Sequence, residues 1–352
     1  MQGNDPIHSP DFLAYRFDFT NETIGFLPID RDEIRRVSAL KSDYIDASGR
    51  QLVEVPLAEL KGLVRQPPAA LIENPPRFIF HTAFCGSTFL SRCLDVDGIS
   101  ISLREPQILL DAANAKRLQW KSKTTELDYS HLPTLALSLL PKHARDGEKL
   151  VVKPINSVNN IIPELLDATG STKSLMLYTD ARKFVLSTLR KGEGGKQTVR
   201  SMFDLIRCDF PHLANLQLTH AIHMTDLRIA MTLWRLQLEQ ATAVIRRFSG
   251  DGTMASLYGE ILIDQPLAAL RAASEFLELD IPPENIRAIV ASDERSKDAK
   301  DPGKIFSKQK RDALYADVEN FLGDDLTDGL DWMTRNNPGT QLYPDPGAAL
   351  QL

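Results

Sequence analysis

Residues Arg77 to Leu94, RFIFHTAFCGSTFLSRCL, hold the side chains and spacing best suited to chemistry. Phe78, Ile79 and Phe80 read as a buried strand, a short loop surrounds Gly86, and an amphipathic helix starts at Ser87. A glycine in such a loop lets backbone N–H groups turn toward an anion. A helix start adds unpaired donors and the positive end of a dipole. The segment is a candidate phosphate cradle, and an ordinary strand–turn–helix fits the same residues. A Walker A loop is excluded, because Ser87 and Thr88 follow Gly86 directly, with no lysine between. A cysteine-phosphatase loop is excluded too, since the six residues between Cys85 and Arg92 are one too many. Cys85 at a helix start can have a lowered thiol pKa, but a nucleophile also needs a base that sequence alone does not place. His81 reads as a core histidine, with a base as the alternative.

The elements that position this loop follow from hydrophobic periodicity. From residue 77 onward strands and helices alternate: RFIFH, GISISL, KLVVKP, SLMLYT and TMASLYGEIL as strands, with helical patterns between them. TDLRIAMTLWRLQLEQATAVIRRF is a long amphipathic helix, and QPLAALRAASEFLEL another after Asp264. This alternation implies βαβ units, a parallel sheet, and ligands at the carboxyl ends of its strands. The expected fold is α/β, a parallel sheet flanked by helices. Residues 1–75 read as a small N-terminal module, with strand-like runs in YRFDFTNETIGFLPI and a helix opened by Asp30. Residues 76–352 read as the main domain. The tail after about residue 292 is polar and poorly periodic, and QLYPDPGAALQL reads as loop or disorder.

The 352 residues are 43% hydrophobic and 25% charged, the composition of a globular chain with a large core. A net charge of −6 gives no reason to expect nucleic acid or an anionic membrane as a partner. No apolar run is long enough to span a bilayer, and MQGNDPIHSPD lacks a signal-peptide core. Three cysteines argue against a disulfide framework. The expectation is a cytoplasmic protein of unspecified oligomeric state.

The loop resembles the 5′-phosphosulfate loop of sulfotransferases, P-[KR]-S-G-T-T-x-L. Cys85 falls at the Ser, Gly86 at the Gly, Ser87 and Thr88 at the two Thr, and Leu90 at the Leu. Phe84 stands where the family has Lys or Arg. Thr179 to Ser187 falls at the family's 3′-phosphate element, R-x-P-x-D-x-x-x-S, with Ser187 at the serine and Thr179 in place of the arginine. Arg182 or Arg190 can supply that charge from a neighbouring turn, while Arg182, Lys183, Arg190 and Lys191 equally fit a solvated basic face. LYGEILIDQPLAALRAASEFLEL resembles a family segment of strand and covering helix, through Tyr258, Glu260, Leu262, Asp264, Pro266, Leu270, Phe276 and Leu277. Residues 295–311 carry seven basic and two acidic side chains, as the family's late basic loop would. Arg295, Lys304, Lys308 and Arg311 are its candidates, and a solvated tail is the alternative.

The resemblance implies a P-loop-type α/β fold with 3′-phosphoadenosine 5′-phosphosulfate as co-substrate and no metal. It implies transfer of a sulfuryl group to a hydroxyl or amine of a small-molecule or peptide acceptor. Phe84, Cys85, Gly86, Ser87 and Thr88 would line the 5′-phosphosulfate. Arg182, Ser187 and Lys304 would take the 3′-phosphate. Sulfuryl transfer needs a base at the acceptor and positive groups at the leaving oxygen. Glu105, at the end of GISISL, is the candidate base by analogy with protein-tyrosine sulfotransferases; a helix-start acid is the alternative. Arg104 and Arg92 are candidate charges in the same pocket. Lys153, at the end of KLVVKP, is the candidate partner of the leaving oxygen; a solvated strand-end lysine is the alternative. A kinase-like phosphate-handling enzyme and a non-catalytic nucleotide-binding protein on this scaffold are the competing functions.

Overall fold

The computed structural model describes residues 5–41, 49–170, 172–214, 224–292, 307–337 and 339–352. Strands β1 (Phe12–Asp18), β2 (Thr23–Pro28) and β3 (Val53–Pro56) pair antiparallel in that order. The expected helix follows β2 at Arg31–Arg36, where the Asp30 carboxylate accepts the Glu33 N–H at 2.7 Å. That is an N-cap in the usual sense: a side chain takes up a donor that the helix cannot satisfy.

The central sheet contains β4 (Arg77–His81), β5 (Ser100–Arg104), β6 (Lys149–Lys153), β7 (Ser174–Tyr178) and β8 (Met254–Tyr258) in the order β5-β6-β4-β7-β8. β4 and β5 each run parallel to β6. The chain therefore has the expected α/β architecture: a five-stranded parallel sheet flanked by helices. Every residue of β4, β5 and β7 is buried, as strands covered on both faces must be. β4 lies in the middle, so the loop leaving its carboxyl end is at the kind of position where open α/β sheets bind ligands. No described helix is long and apolar enough to cross a membrane.

The chain divides into two compact units. One comprises Met1–Phe80, Thr88–Leu175 and Leu270–Ile286. In it, the Phe17 N–H donates to Asp111 of the helix Gln107–Arg117 at 3.0 Å, and the Gln107 amide donates to the same carboxylate at 2.7 Å. Arg104 is wholly buried. It pairs with Asp95 at 3.0 Å and donates to the carbonyls of Val37, Ile34 and Arg35. It is a structural cross-brace whose guanidinium is engaged by Asp95 and three backbone carbonyls.

The other unit comprises His81–Ser87, Met176–Ala269 and Arg287–Leu352. Its core joins Phe184 and Val185 of the helix Ala181–Leu189 to Phe203, Met231, Trp234, Leu326 and Met333. Trp234 Nε1 donates to the Thr179 carbonyl at 2.9 Å, fixing the end of β7.

The tail departs from the sequence expectation. Lys308–Asn336 is a helix of 29 residues. Its backbone leaves helical geometry at Leu322 (φ −122°, ψ 17°), so its two halves present different faces and no single period runs through it. Residues 341–352 are pinned as well. The Ala181 N–H donates to the Leu342 carbonyl at 3.1 Å, and Ser256 of β8 exchanges hydrogen bonds with Ala348 and Leu350 at 2.7 and 2.8 Å. Gly192–Ile206 also forms a helix, hidden in the sequence by its GEGG start.

Burial pushes the Asp111 carboxyl up to about 6, against an ordinary value of 3.8. A raised folded-state pKa favours folding below the unfolded value and loses that contribution as pH rises through the folded value. Denaturant unfolding should therefore show the wild type losing stability relative to Asp111→Asn as pH rises from 4 to 7. Parallel pH profiles for the two proteins would contradict this.

Candidate functional site

The loop after β4 is built from backbone constraints. The Thr82 N–H donates to the Leu177 carbonyl at 3.0 Å, and the Ala83 N–H donates to His81 Nδ1 at 3.0 Å. His81 is buried, and accepting that bond leaves its Nδ1 unprotonated, the role of a core histidine. Ala83, Phe84 and Gly86 then adopt left-handed φ values of 62°, 53° and 83°. Two of the three carry a Cβ, so the surrounding structure must hold the strain. A Cβ on Gly86 would meet only Leu262 at an ordinary 3.6 Å; its φ, not crowding, demands glycine.

Gly259, just beyond β8, has the opposite constraint. A Cβ there would stand 2.2 Å from the Cys85 carbonyl oxygen and 2.9 Å from its carbon. The Gly259 N–H donates to Tyr178 at 2.9 Å. The loop thus rests on bare backbone. Sequence reasoning assigned Gly259 no role, although a glycine at a strand end is itself a sign of close backbone approach. Cys85, Ser87 and Thr88 are buried, and the helix Ser87–Cys93 follows. The Phe84 ring meets Phe184 edge-on at 5.2 Å, and Lys191 Nζ lies 4.4 Å from the Phe84 centroid.

The 181–189 helix opens at Asp180, whose carboxylate caps the Lys183 N–H at 2.8 Å and accepts the Tyr258 hydroxyl at 2.5 Å. Burial, then that hydrogen bond, raises the Tyr258 hydroxyl pKa well above its ordinary value. Lys183 Nζ lies 3.1 Å from the Tyr258 hydroxyl and 3.2 Å from Glu260. Arg311 is buried and grips both Glu260 oxygens at 3.0 and 2.9 Å. Lys308 pairs with Asp264 at 2.5 Å. Arg182 Nε donates to Glu319 at 2.8 Å, and the Ser187 and Tyr315 hydroxyls share a hydrogen bond of 2.6 Å. Tyr315 and Glu319 are four residues apart, on one face of the C-terminal helix. Arg182 and Ser187 therefore meet the same surface. Lys304 and Arg295 lie outside the described residues.

In the first unit, β5 and β6 align Arg104 with Lys153, which brings the strand ends level. Lys153 Nζ donates to Glu105 Oε1 at 2.6 Å, with side-chain exposures of 1% and 6%. The Glu105 N–H donates back to the Lys153 carbonyl at 2.7 Å. Glu105 has φ 53° immediately before Pro106, an uncommon conformation for a residue with a Cβ. The two candidate catalytic residues thus form one buried ion pair, and Lys153 is no solvated strand-end lysine. No group of three or more metal-ligating side chains occurs among the described residues.

No family model matches the chain, and no curated protein matches its sequence. Among solved structures it is similar to a sulfotransferase from Mycobacterium avium, at 13% identity over 75% of this chain and 80% of that one, with a TM-score of 0.38. The sulfotransferase domain from the curacin biosynthetic pathway matches at 15% identity over 70% and 97%, with a TM-score of 0.41. A mouse sulfotransferase complexed with PAP matches at 14% over 82% and 94%, also with a TM-score of 0.41.

Two tests follow from this geometry. Gly259→Ala must push the loop off its seat, so it should cost about 1–3 kcal/mol in denaturant unfolding; an unchanged midpoint would contradict the close approach. Glu105→Gln or Lys153→Met removes one side of a buried ion pair, at a cost of about 3–5 kcal/mol. The double variant should recover much of that loss, and additive losses would mean the pair is not coupled.

Proposed function

We propose that this protein transfers a sulfuryl group from 3′-phosphoadenosine 5′-phosphosulfate to a hydroxyl or amine of a small-molecule or peptide acceptor. The reading is carried by the loop at the end of β4, where left-handed residues Ala83, Phe84 and Gly86 turn the backbone ahead of Ser87. Backbone donors of that loop, with the Ser87 and Thr88 hydroxyls, suit a phosphosulfate. Ser187 can accept from Tyr315 and still donate its own proton to the 3′-phosphate. Arg182 uses Nε on Glu319, leaving its terminal nitrogens to point at the same phosphate. Lys304 is the further candidate there.

Glu105 takes the acceptor proton, and Lys153 orients its carboxylate. The acceptor heteroatom forms the new bond to sulfur as the bond from sulfur to the bridging oxygen breaks. That electron pair leaves on the 5′-phosphate of 3′-phosphoadenosine 5′-phosphate. A non-catalytic nucleotide-binding protein is the second reading. It is favoured by the depth at which Glu105 is held against Lys153.

Calorimetric titration with 3′-phosphoadenosine 5′-phosphate, beside ATP with Mg²⁺, tests the donor. Selective binding of the bisphosphate is expected. No bisphosphate binding, or a preference for Mg-ATP, would overturn the reading. Turnover of the donor against an acceptor panel then separates the enzyme from the binder.

A further inference from the structure

We infer that the C-terminal helix Lys308–Asn336 is an interaction surface whose partner is a second copy of this chain, paired antiparallel about a two-fold axis midway between Leu314 and Phe321. The pairing is independent of the donor chemistry proposed above.

The helix is fixed by one face. Gly329 lies so close to the helix Asp226–Phe248 that a Cβ would stand 2.7 Å from both Leu227 and Met231. Leu326 and Met333 are buried as well. Toward the other end, Arg311 grips Glu260, Tyr315 meets Ser187 and Glu319 meets Arg182. A helix held at both ends presents its remaining side chains in a set direction. Among these, Phe321 is 86% exposed, more than any other large apolar side chain among the described residues, and Leu314 is 39% exposed. The two are seven residues apart, two helical turns, so they share one stripe ahead of the break at Leu322. Apolar side chains exposed singly need no explanation; an exposed ring and an aliphatic side chain on one stripe of an anchored helix do.

Charge selects the occupant. Lys308 and Arg311 are held by Asp264 and Glu260, so the first turn presents Lys310, four residues before Leu314. Beyond Phe321 the exposed charges are Asp324, Asp325 and Asp328, all acidic. The stripe is therefore positive at one end and negative at the other. A parallel copy in register would set like charges together. An antiparallel copy sets Leu314 against Phe321 twice. It also sets Lys310 against Asp325 twice, because each charge lies four residues outside its apolar neighbour. This is the self-complementarity that an isologous two-fold contact needs. The acidic end repels an anionic lipid surface, the other environment that would cover an exposed phenylalanine. A contact between two helices is at the small end of specific interfaces, so the dimer is weak, with a Kd of about 10–100 µM.

The test is sedimentation velocity of the full chain over about 5–500 µM, a range that brackets the expected Kd. Wild type should shift reversibly from monomer to dimer as concentration rises. Phe321→Glu, in the middle of the contact, should leave a monomer throughout. Lys310→Asp or Asp325→Lys alone opposes like charges at both ends of the contact and should weaken the dimer about tenfold. The two together exchange the signs and should restore it, which neither a different interface nor a change in folding would produce. A wild type that stays monomeric over the whole range overturns the pairing. So does a dimer indifferent to Phe321→Glu, or a double variant no tighter than the single ones.

Discussion

The contact between Gly259 and the Cys85 carbonyl is the constraint on which the rest of the candidate site depends. At that separation no residue with a Cβ fits, so backbone lies directly against backbone. The loop can then hold Ala83 and Phe84 in left-handed conformations that neither residue adopts readily on its own. The Thr82 and Gly259 amides tie the two sides of this seat to Leu177 and Tyr178 of β7. If the seat moved, the hydroxyls of Ser87 and Thr88 would move with it, and so would the Phe84 ring that meets Lys191.

Buried charge is the second organising feature. Arg104 with Asp95, Lys153 with Glu105 and Arg311 with Glu260 are each taken out of water and paired within hydrogen-bond distance. Burial raises the Asp95 carboxyl pKa despite Arg104 and Arg35 beside it, and lowers that of the Arg104 guanidinium. Desolvation thus outweighs attraction in both shifts, and the pair fixes geometry between distant segments. Each pair joins elements distant in sequence. The ends of β5 and β6 are held level by one, and Glu260 beyond β8 is held to the first turn of the C-terminal helix by another.

How much was legible varied with the range of the interaction. The strand–loop–helix at residues 77–94, the alternation that follows it and the Asp30 cap depend on near neighbours, and the structure bears them out. The C-terminal helix was hidden because its kink at Leu322 splits the period and few of its residues are buried. Glu105 and Lys153 were each singled out by their strand ends. Their pairing was not visible, because it needs β5 and β6 to be neighbours in register. Lys191 is an exposed charge in the sequence's basic run, and its approach to the Phe84 ring at 4.4 Å depends on a helix packing that no local period marks.

The sequence by itself determined the α/β class, the position of the loop and the glycine whose φ the loop requires. These follow from period, composition and one residue's allowed conformations, all local properties. Only the tertiary structure decided which charges neutralise one another, which glycine the loop rests on, and which cation stands at Phe84. Those outcomes depend on distances of a few ångströms between segments far apart in the chain. Burial then makes each distance count, because a charge or carbonyl removed from water has no other partner to turn to.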